Sequence, residues 1–145
     1  MIGILLLTHA QLGQQFISTA RQIGLNSEEA VSAFSVDPSD SPDLIREHVA
    51  HAIKQTDRGQ GVLILTDLFG GTPTNLSLSF LEEGRVEVVT GLNLPMVIKA
   101  INSRRDHDLR ALAKLAAEAG KESIFLAGDF LRQRLTKRKT AEKSS

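Results

Sequence analysis

Two residues of this chain gain chemical meaning when taken together. His9 closes a short apolar run at residues 2–8, and Asp67 closes another at residues 61–66. An imidazole beside a carboxylate is a recurrent unit. The carboxylate accepts a hydrogen bond from one ring nitrogen and fixes the tautomer, which leaves the other nitrogen's lone pair free for attack. It also stabilises the positive charge that arises on the ring when that nitrogen forms a bond. Directly after Asp67 the chain reads Leu68-Phe69-Gly70-Gly71-Thr72-Pro73. The glycine pair lets backbone N–H groups approach a ligand with no Cβ in the way. Thr72 as cap and Pro73 as first helical residue open a helix whose N–H groups and positive dipole end offer an anion site. A nucleophilic imidazole, an orienting carboxylate and a phosphate cradle at Gly70, Gly71 and Thr72 point to a histidine that carries a phosphoryl group. That chemistry asks for positioning and charge stabilisation more than covalent machinery.

Each feature alone has a plainer meaning. His9 is then a turn residue, Asp67 a loop cap, and Gly-Gly-Thr-Pro a strand-to-helix turn. Leu68 and Phe69 form an apolar rim for a docking partner or pack inward. The joint placement at one sheet edge favours the functional meaning. Other histidines are weaker candidates. His48 and His51 are three apart on a helix but lack a third ligand, so a solvated flank is expected and no metal. His107 stands in Arg104-Arg105-Asp106-His107-Asp108, a charged loop with a helix cap. Neither Gly-x-x-x-x-Gly-Lys-Ser/Thr nor Gly-x-Gly-x-x-Gly after the first strand is present. No nucleotide site and no cofactor are therefore expected, and the phosphoryl donor should be another protein or a small phosphorylated molecule.

The elements that must position these groups alternate. Residues 2–8 read as a buried strand. A helix follows at 11–23, with Leu12, Phe16, Ala20 and Ile23 on one face and Gly24 at its end. A strand is expected at 30–36, then a helix from Pro42, capped by Ser41, to about residue 55. A strand at 61–66 leads to the helix opened by Thr72-Pro73. A strand at 85–90 precedes helices at 95–102 and 106–119, the last closed by Gly120. Residues 124–126 are a possible short final strand. This βαβαβαβ order implies an α/β, doubly wound, mainly parallel four-stranded sheet of order 2-1-3-4 with helices on both faces. Strands one and three then lie side by side at the reversal of strand order, where such sheets place their functional groups. His9 and Asp67 share that crevice.

Length and composition bound the rest. The chain has 145 residues, 41% hydrophobic and 23% charged, which suits one soluble globular domain without staples. With no cysteine, disulfides, thiolate metal sites and a cysteine nucleophile are excluded. The apolar run at 4–7 falls far short of the ~20 residues that cross a bilayer and lacks the basic flank of a signal peptide, so a cytoplasmic location is expected. Basic and acidic residues balance at 17 each, so the chain as a whole is no polycation seeking nucleic acid. From Phe130 onward, however, six basic residues face only Glu142, a charge of +5, which leaves −5 on residues 1–129. Residues 1–129 are read as the domain and 130–145 as a basic, flexible, solvated tail, with an interaction arm as the alternative.

Three segments carry a family resemblance: Ile4-Leu5-Leu6-Leu7-Thr8-His9, Asp67-Leu68-Phe69-Gly70-Gly71-Thr72-Pro73-Thr74-Asn75, and Thr90-Gly91-Leu92-Asn93-Leu94-Pro95-Met96. In this order and spacing, over about residues 1–127, the chain resembles the mannose-family IIA domain of the bacterial phosphoenolpyruvate–sugar phosphotransferase system. The resemblance implies that His9 is phosphorylated through Nε2 by the carrier HPr and passes the group to a IIB component for sugar uptake. It implies that Asp67 holds Nδ1, and that the backbone around Gly71 and Thr72, with the Thr72 hydroxyl, binds the phosphoryl oxygens. It also implies a homodimer in which residues 123–126 supply a strand to the partner's sheet, and membrane contact only indirectly, through a permease. The basic segment after Asp129 is no IIB domain, so the acceptor would be a separate chain. The alternative is a regulator whose His9 phosphorylation controls partner binding without onward transport. A dihydroxyacetone-kinase phosphotransfer subunit is a third reading, disfavoured by Gly-Gly-Thr-Pro.

Overall fold

The computed structural model describes residues 1–68, 70 and 72–144, with the side chains of Lys143 and Ser144 outside that description. Four parallel strands form one sheet in the order β2-β1-β3-β4. They are β1 (Gly3–His9), β2 (Val31–Val36), β3 (Val62–Thr66) and β4 (Val86–Val89). Between and after them run α1 (Leu12–Ile23), α2 (Pro42–Thr56), α3 (Thr72–Leu78), α4 (Leu94–Ser103), α5 (Leu109–Glu122) and α6 (Ala127–Ser144). A single 3-10 turn at Arg104–Asp106 joins α4 to α5.

Both faces of the sheet are covered, which explains the unbroken apolar runs of β1 and β3. Side chains alternate across a strand. Ile4, Leu6, Leu63 and Leu65 therefore enter one core with Ala20 of α1, Val97, Ala100 and Ile101 of α4, and Leu112 and Ala116 of α5. Leu5, Leu7, Val62 and Ile64 enter the other with Ile45 and Val49 of α2, against which Leu76 of α3 and Phe80 pack. The eight strand residues named here are fully buried, and each such side chain contributes about 1.5–3 kcal/mol over leaving it in water.

Helix starts follow local chemistry. Ser41 Oγ accepts the Leu44 N–H at 3.2 Å, Asn93 Oδ1 accepts that of Met96 at 3.1 Å, and Asp108 Oδ1 accepts that of Ala111 at 2.8 Å. Pro42 and Pro95 sit in the first turns they open.

Two expectations differ from the structure at the C-terminal side. Gly120 does not close α5 but lies within it, because a Cβ there would come 2.7 Å from Met96 Cε and 3.3 Å from Asn93 Oδ1. The glycine serves close helix packing instead of a stop. Residues 124–126 form no strand within this single chain, and Ile124, Phe125 and Leu126 are 76%, 63% and 71% exposed. Beyond them residues 127–144 are helical, rich in Arg and Lys, which lose little rotamer freedom in a helix. Ion pairs Arg132–Asp129 and Arg138–Glu142 add i,i+3 and i,i+4 support. Every described side chain of α6 is exposed.

Candidate functional site

The register of the sheet sets the site. Pairing between β1 and β3 ends at Leu7–Thr66, while β1 continues beside β2 to the pair His9–Val36. Asp67 is the first residue beyond β3, so its carboxylate emerges next to the last turn of β1. One oxygen, Asp67 Oδ2, accepts two hydrogen bonds from His9: the main-chain N–H at 3.0 Å and the ring Nδ1 at 3.0 Å. An ionised carboxylate can only accept, so Nδ1 carries the proton. In the neutral ring this bond selects the tautomer that leaves the lone pair on Nε2, to which no described residue bonds. The imidazole is half exposed, whereas the Asp67 side chain is only 10% exposed. Asp67 Oδ1 is buried and has no hydrogen-bond partner among the described residues.

The segment after His9 is constrained from both sides. Ala10 has φ +44°, in the left-handed region that L-residues with a Cβ avoid. Such a conformation persists where neighbours over-determine it. Here Asp67 holds the His9 N–H on one side. On the other, buried Thr8 Oγ accepts the N–H of Gly13 in the first turn of α1 at 2.9 Å. Gly13 leaves no room for more: a Cβ would meet Ala33 Cβ and Thr8 Oγ at 3.2 Å. Thr8 thus does the capping for α1, since Gln11 makes no side-chain cap bond.

Of the residues expected to cradle phosphate, Gly70 is exposed with φ +85°, and open space surrounds the position a Cβ would take. Its carbonyl accepts the Asn75 side-chain amide at 3.4 Å. Thr72 is the exposed first residue of α3. Gly71 lies outside the described residues, as does Phe69 of the expected rim. Leu68 is exposed by 58%. Beneath this loop Thr66 and Thr74, both fully buried, meet through their hydroxyls at 2.8 Å, and the Thr74 hydroxyl donates to the Leu68 carbonyl.

The remaining sequence candidates lie elsewhere. His48 packs edge-on to Phe34 with ring centroids 6.0 Å apart, on the α2 face beside β2. The His107 ring bonds the Ser103 carbonyl at 2.9 Å. Among the described residues no three His, Cys, Asp or Glu side chains are placed to hold a metal ion.

Sequence reasoning missed the buried threonines and Arg104. Read as part of a charged loop, Arg104 is 2% exposed and donates to the carbonyls of Ile2, Ser27 and Glu29. A charged run normally signals solvent, and no local signal separates the one arginine that turns inward. The threonines had a weak signal, a hydroxyl residue at the end of each central strand.

A doubly wound parallel α/β sheet thus presents an oriented, half-exposed histidine at its strand-order reversal, where such sheets place their functional groups. Comparison with known proteins narrows the class. The family model described as "PTS system fructose IIA component", EIIA-man, matches residues 3–117. The chain belongs to this family of IIA components of the phosphotransferase system. It is 30% identical over 125 residues to the PTS system mannose-specific EIIAB component of Escherichia coli, a match over 85% of this chain and 38% of that protein. The chain thus spans well under half the length of that relative. Among solved structures, phosphotransferase system component EIIA from Streptococcus agalactiae superposes with a TM-score of 0.78 at 25% identity, over 89% of this chain and 99% of that one. The mannose/sorbose specific IIA subunit from Enterococcus faecalis gives 0.74 at 25% identity, over 86% and 92%.

Proposed function

We propose that this protein is a phosphohistidine carrier: His9 Nε2 accepts a phosphoryl group from phospho-HPr and passes it to a IIB component for sugar uptake and phosphorylation. The observation that carries the proposal is the bond from His9 Nδ1 to Asp67 Oδ2. In the forward step the Nε2 lone pair attacks phosphorus, an Nε2–P bond forms, and the donor's N–P bond breaks with its electron pair returning to the donor ring. Nδ1 keeps its proton throughout. The positive charge that spreads over the His9 ring faces a carboxylate that is nine-tenths buried, where the attraction is stronger than in water. The amides of Gly70, Gly71 and Thr72 and the Thr72 hydroxyl are assigned to the phosphoryl oxygens, with Leu68 and Phe69 as the docking rim. One N–P bond replaces another, so the step is close to isoenergetic and reversible.

A homodimer and a cytoplasmic setting belong to the same reading. The outer side of β4 carries only the isolated bridge Glu82–Val86 among the described residues, while Ile124, Phe125 and Leu126 stand exposed and Ile124 lines a cavity with Val89 at the end of β4. An open strand edge and an extended apolar segment are complementary. Residues 123–126 are assigned to the β4 edge of a second copy. No described helix is long and apolar enough to cross a membrane.

The test is incubation with labelled phosphoenolpyruvate, enzyme I and HPr. The expected product is an acid-labile, base-stable phosphoryl group on the wild-type chain and none on His9→Ala. Undiminished labelling of His9→Ala would remove His9 from the role. Label that enters but leaves to no IIB protein would favour the regulatory alternative.

A further inference from the structure

The hydroxyl of Thr74 touches both neighbours of Asp67 in the chain. It donates to the carbonyl of Leu68, the residue after Asp67, and it lies 2.8 Å from the hydroxyl of Thr66, the residue before it. A hydroxyl has one proton to give. Since that of Thr74 goes to Leu68, the Thr66 hydroxyl is the donor in the second bond. The three groups form a directed chain from Thr66 to Thr74 to Leu68, in which both side chains are fully buried. Thr74 also belongs to the first turn of α3, and that helix is seated on the lower core through Leu76. One oxygen therefore joins three things: the end of β3, the peptide that leaves Asp67, and the start of the helix that follows the glycine loop.

We infer that Thr74 is a positioning residue for the transfer step, fixing the Asp67 carboxylate and the start of α3 relative to each other so that His9 is aimed at the bound phosphoryl group. The inference rests on the carrier reading given above. Thr74 contacts no reacting atom; it acts through Asp67. Without its hydroxyl, the Leu68 carbonyl and the Thr66 hydroxyl lose their buried partner and the loop holding Asp67 is released from α3. A carboxylate displaced by ~1 Å is enough to slow an oriented reaction as much as a hundredfold.

The test compares full-length wild type, Thr74→Val, which keeps the shape and removes the hydroxyl, and Thr74→Ser, which keeps the hydroxyl. Two readouts are taken: initial rates of labelling across phospho-HPr concentrations, and the NMR resonance of the His9 Nδ1 proton in unphosphorylated protein. Thr74→Val should show a maximal rate about ten- to hundredfold lower with an unchanged half-saturating concentration, and a broadened or lost Nδ1–H signal. Thr74→Ser should restore both. A wild-type rate and signal in Thr74→Val, or a loss that Thr74→Ser does not rescue, would overturn the inference. A wild-type chain that takes no label overturns the carrier reading instead, and the Nδ1–H signal then judges Thr74 alone. Should Thr74→Val not fold, Thr66→Val cuts one anchor and keeps the other. It should move both readouts in the same direction by less, and unchanged values for both would sink the idea.

Discussion

Asp67 puts both of its bonds to His9 on a single oxygen, and the other oxygen is buried without a partner among the described residues. That asymmetry decides what an amide in its place would do. In Asp67→Asn the carbonyl oxygen can take over the bonds from the main chain and the ring, while the NH2 group would fall where no described residue offers an acceptor. The exchange costs about 1 kcal/mol of stability from the unpaired donor. The larger effect is electrostatic, because the negative charge facing the imidazolium-like transition state is gone. Asp67→Asn should fold normally and accept phosphoryl groups about 10- to 100-fold more slowly, equivalent to about 1.4–2.8 kcal/mol of barrier. Stopped labelling time courses on a sample with a native thermal transition would check it, and wild-type kinetics would reduce the carboxylate to a structural part.

At the scale of elements, the chain's two ends of the sheet do separate work. His9 and Asp67 lie at the carboxyl ends of β1 and β3, and Arg104 lies at the opposite end, donating to the carbonyl of Ile2 just before β1 starts. Its further bonds to the carbonyls of Ser27 and Glu29 fasten the loop that leads into β2. Burial pushes the Arg104 pKa down from its ordinary value, yet a guanidinium stays protonated in a protein, so the three carbonyls always see a cation. Arg104→Met keeps the stem and removes the donors. It should lower unfolding free energy by about 3 kcal/mol, as expected for losing charge-assisted bonds to buried acceptors. Denaturant titration measures the loss, and labelling rates at 25 °C should stay at the wild-type value, because the damage is at the far end of the sheet. The strand order and helix sequence were legible because α2, α4 and α5 carry a capping side chain at their start, α3 opens on Thr72-Pro73, α1 shows its apolar spacing, and each central strand is an unbroken apolar run. Arg104 was not, because its bonds join segments far apart in the chain, and Thr66 and Thr74 left only a weak trace, because their meeting depends on which face a short loop turns inward. Gly120 was misread for the same reason: a glycine near a helix end has one meaning locally and another once Met96 stands against it.

For the whole molecule, charge and packing divide at about the same place. Residues 1–129 sum to −5 and the segment from Phe130 to +5, and α6 leaves every described side chain in solvent. A helix with so little buried surface contributes little to the stability of the rest. Removing residues 130–145 should shift the thermal midpoint by no more than about 2 °C, the range expected of surface changes in a domain of this size. A larger fall by calorimetry would mean that α6 is part of the core assembly. The site's overall address, the sheet edge where strand order reverses, was read from the sequence at this scale, because topology and not side-chain detail places it. The state of residues 124–126 could not be read that way, since an exposed apolar trio finds its partner outside a single chain.

The double grip of one carboxylate oxygen on His9 has a last consequence. Because the main-chain bond holds Asp67 against His9 whatever the ring does, an imidazole that swings away gives up only its Nδ1 bond and finds the same acceptor on its return. On the carrier reading, giver and taker would then meet the ring in one pose, so loading and unloading share a single geometry.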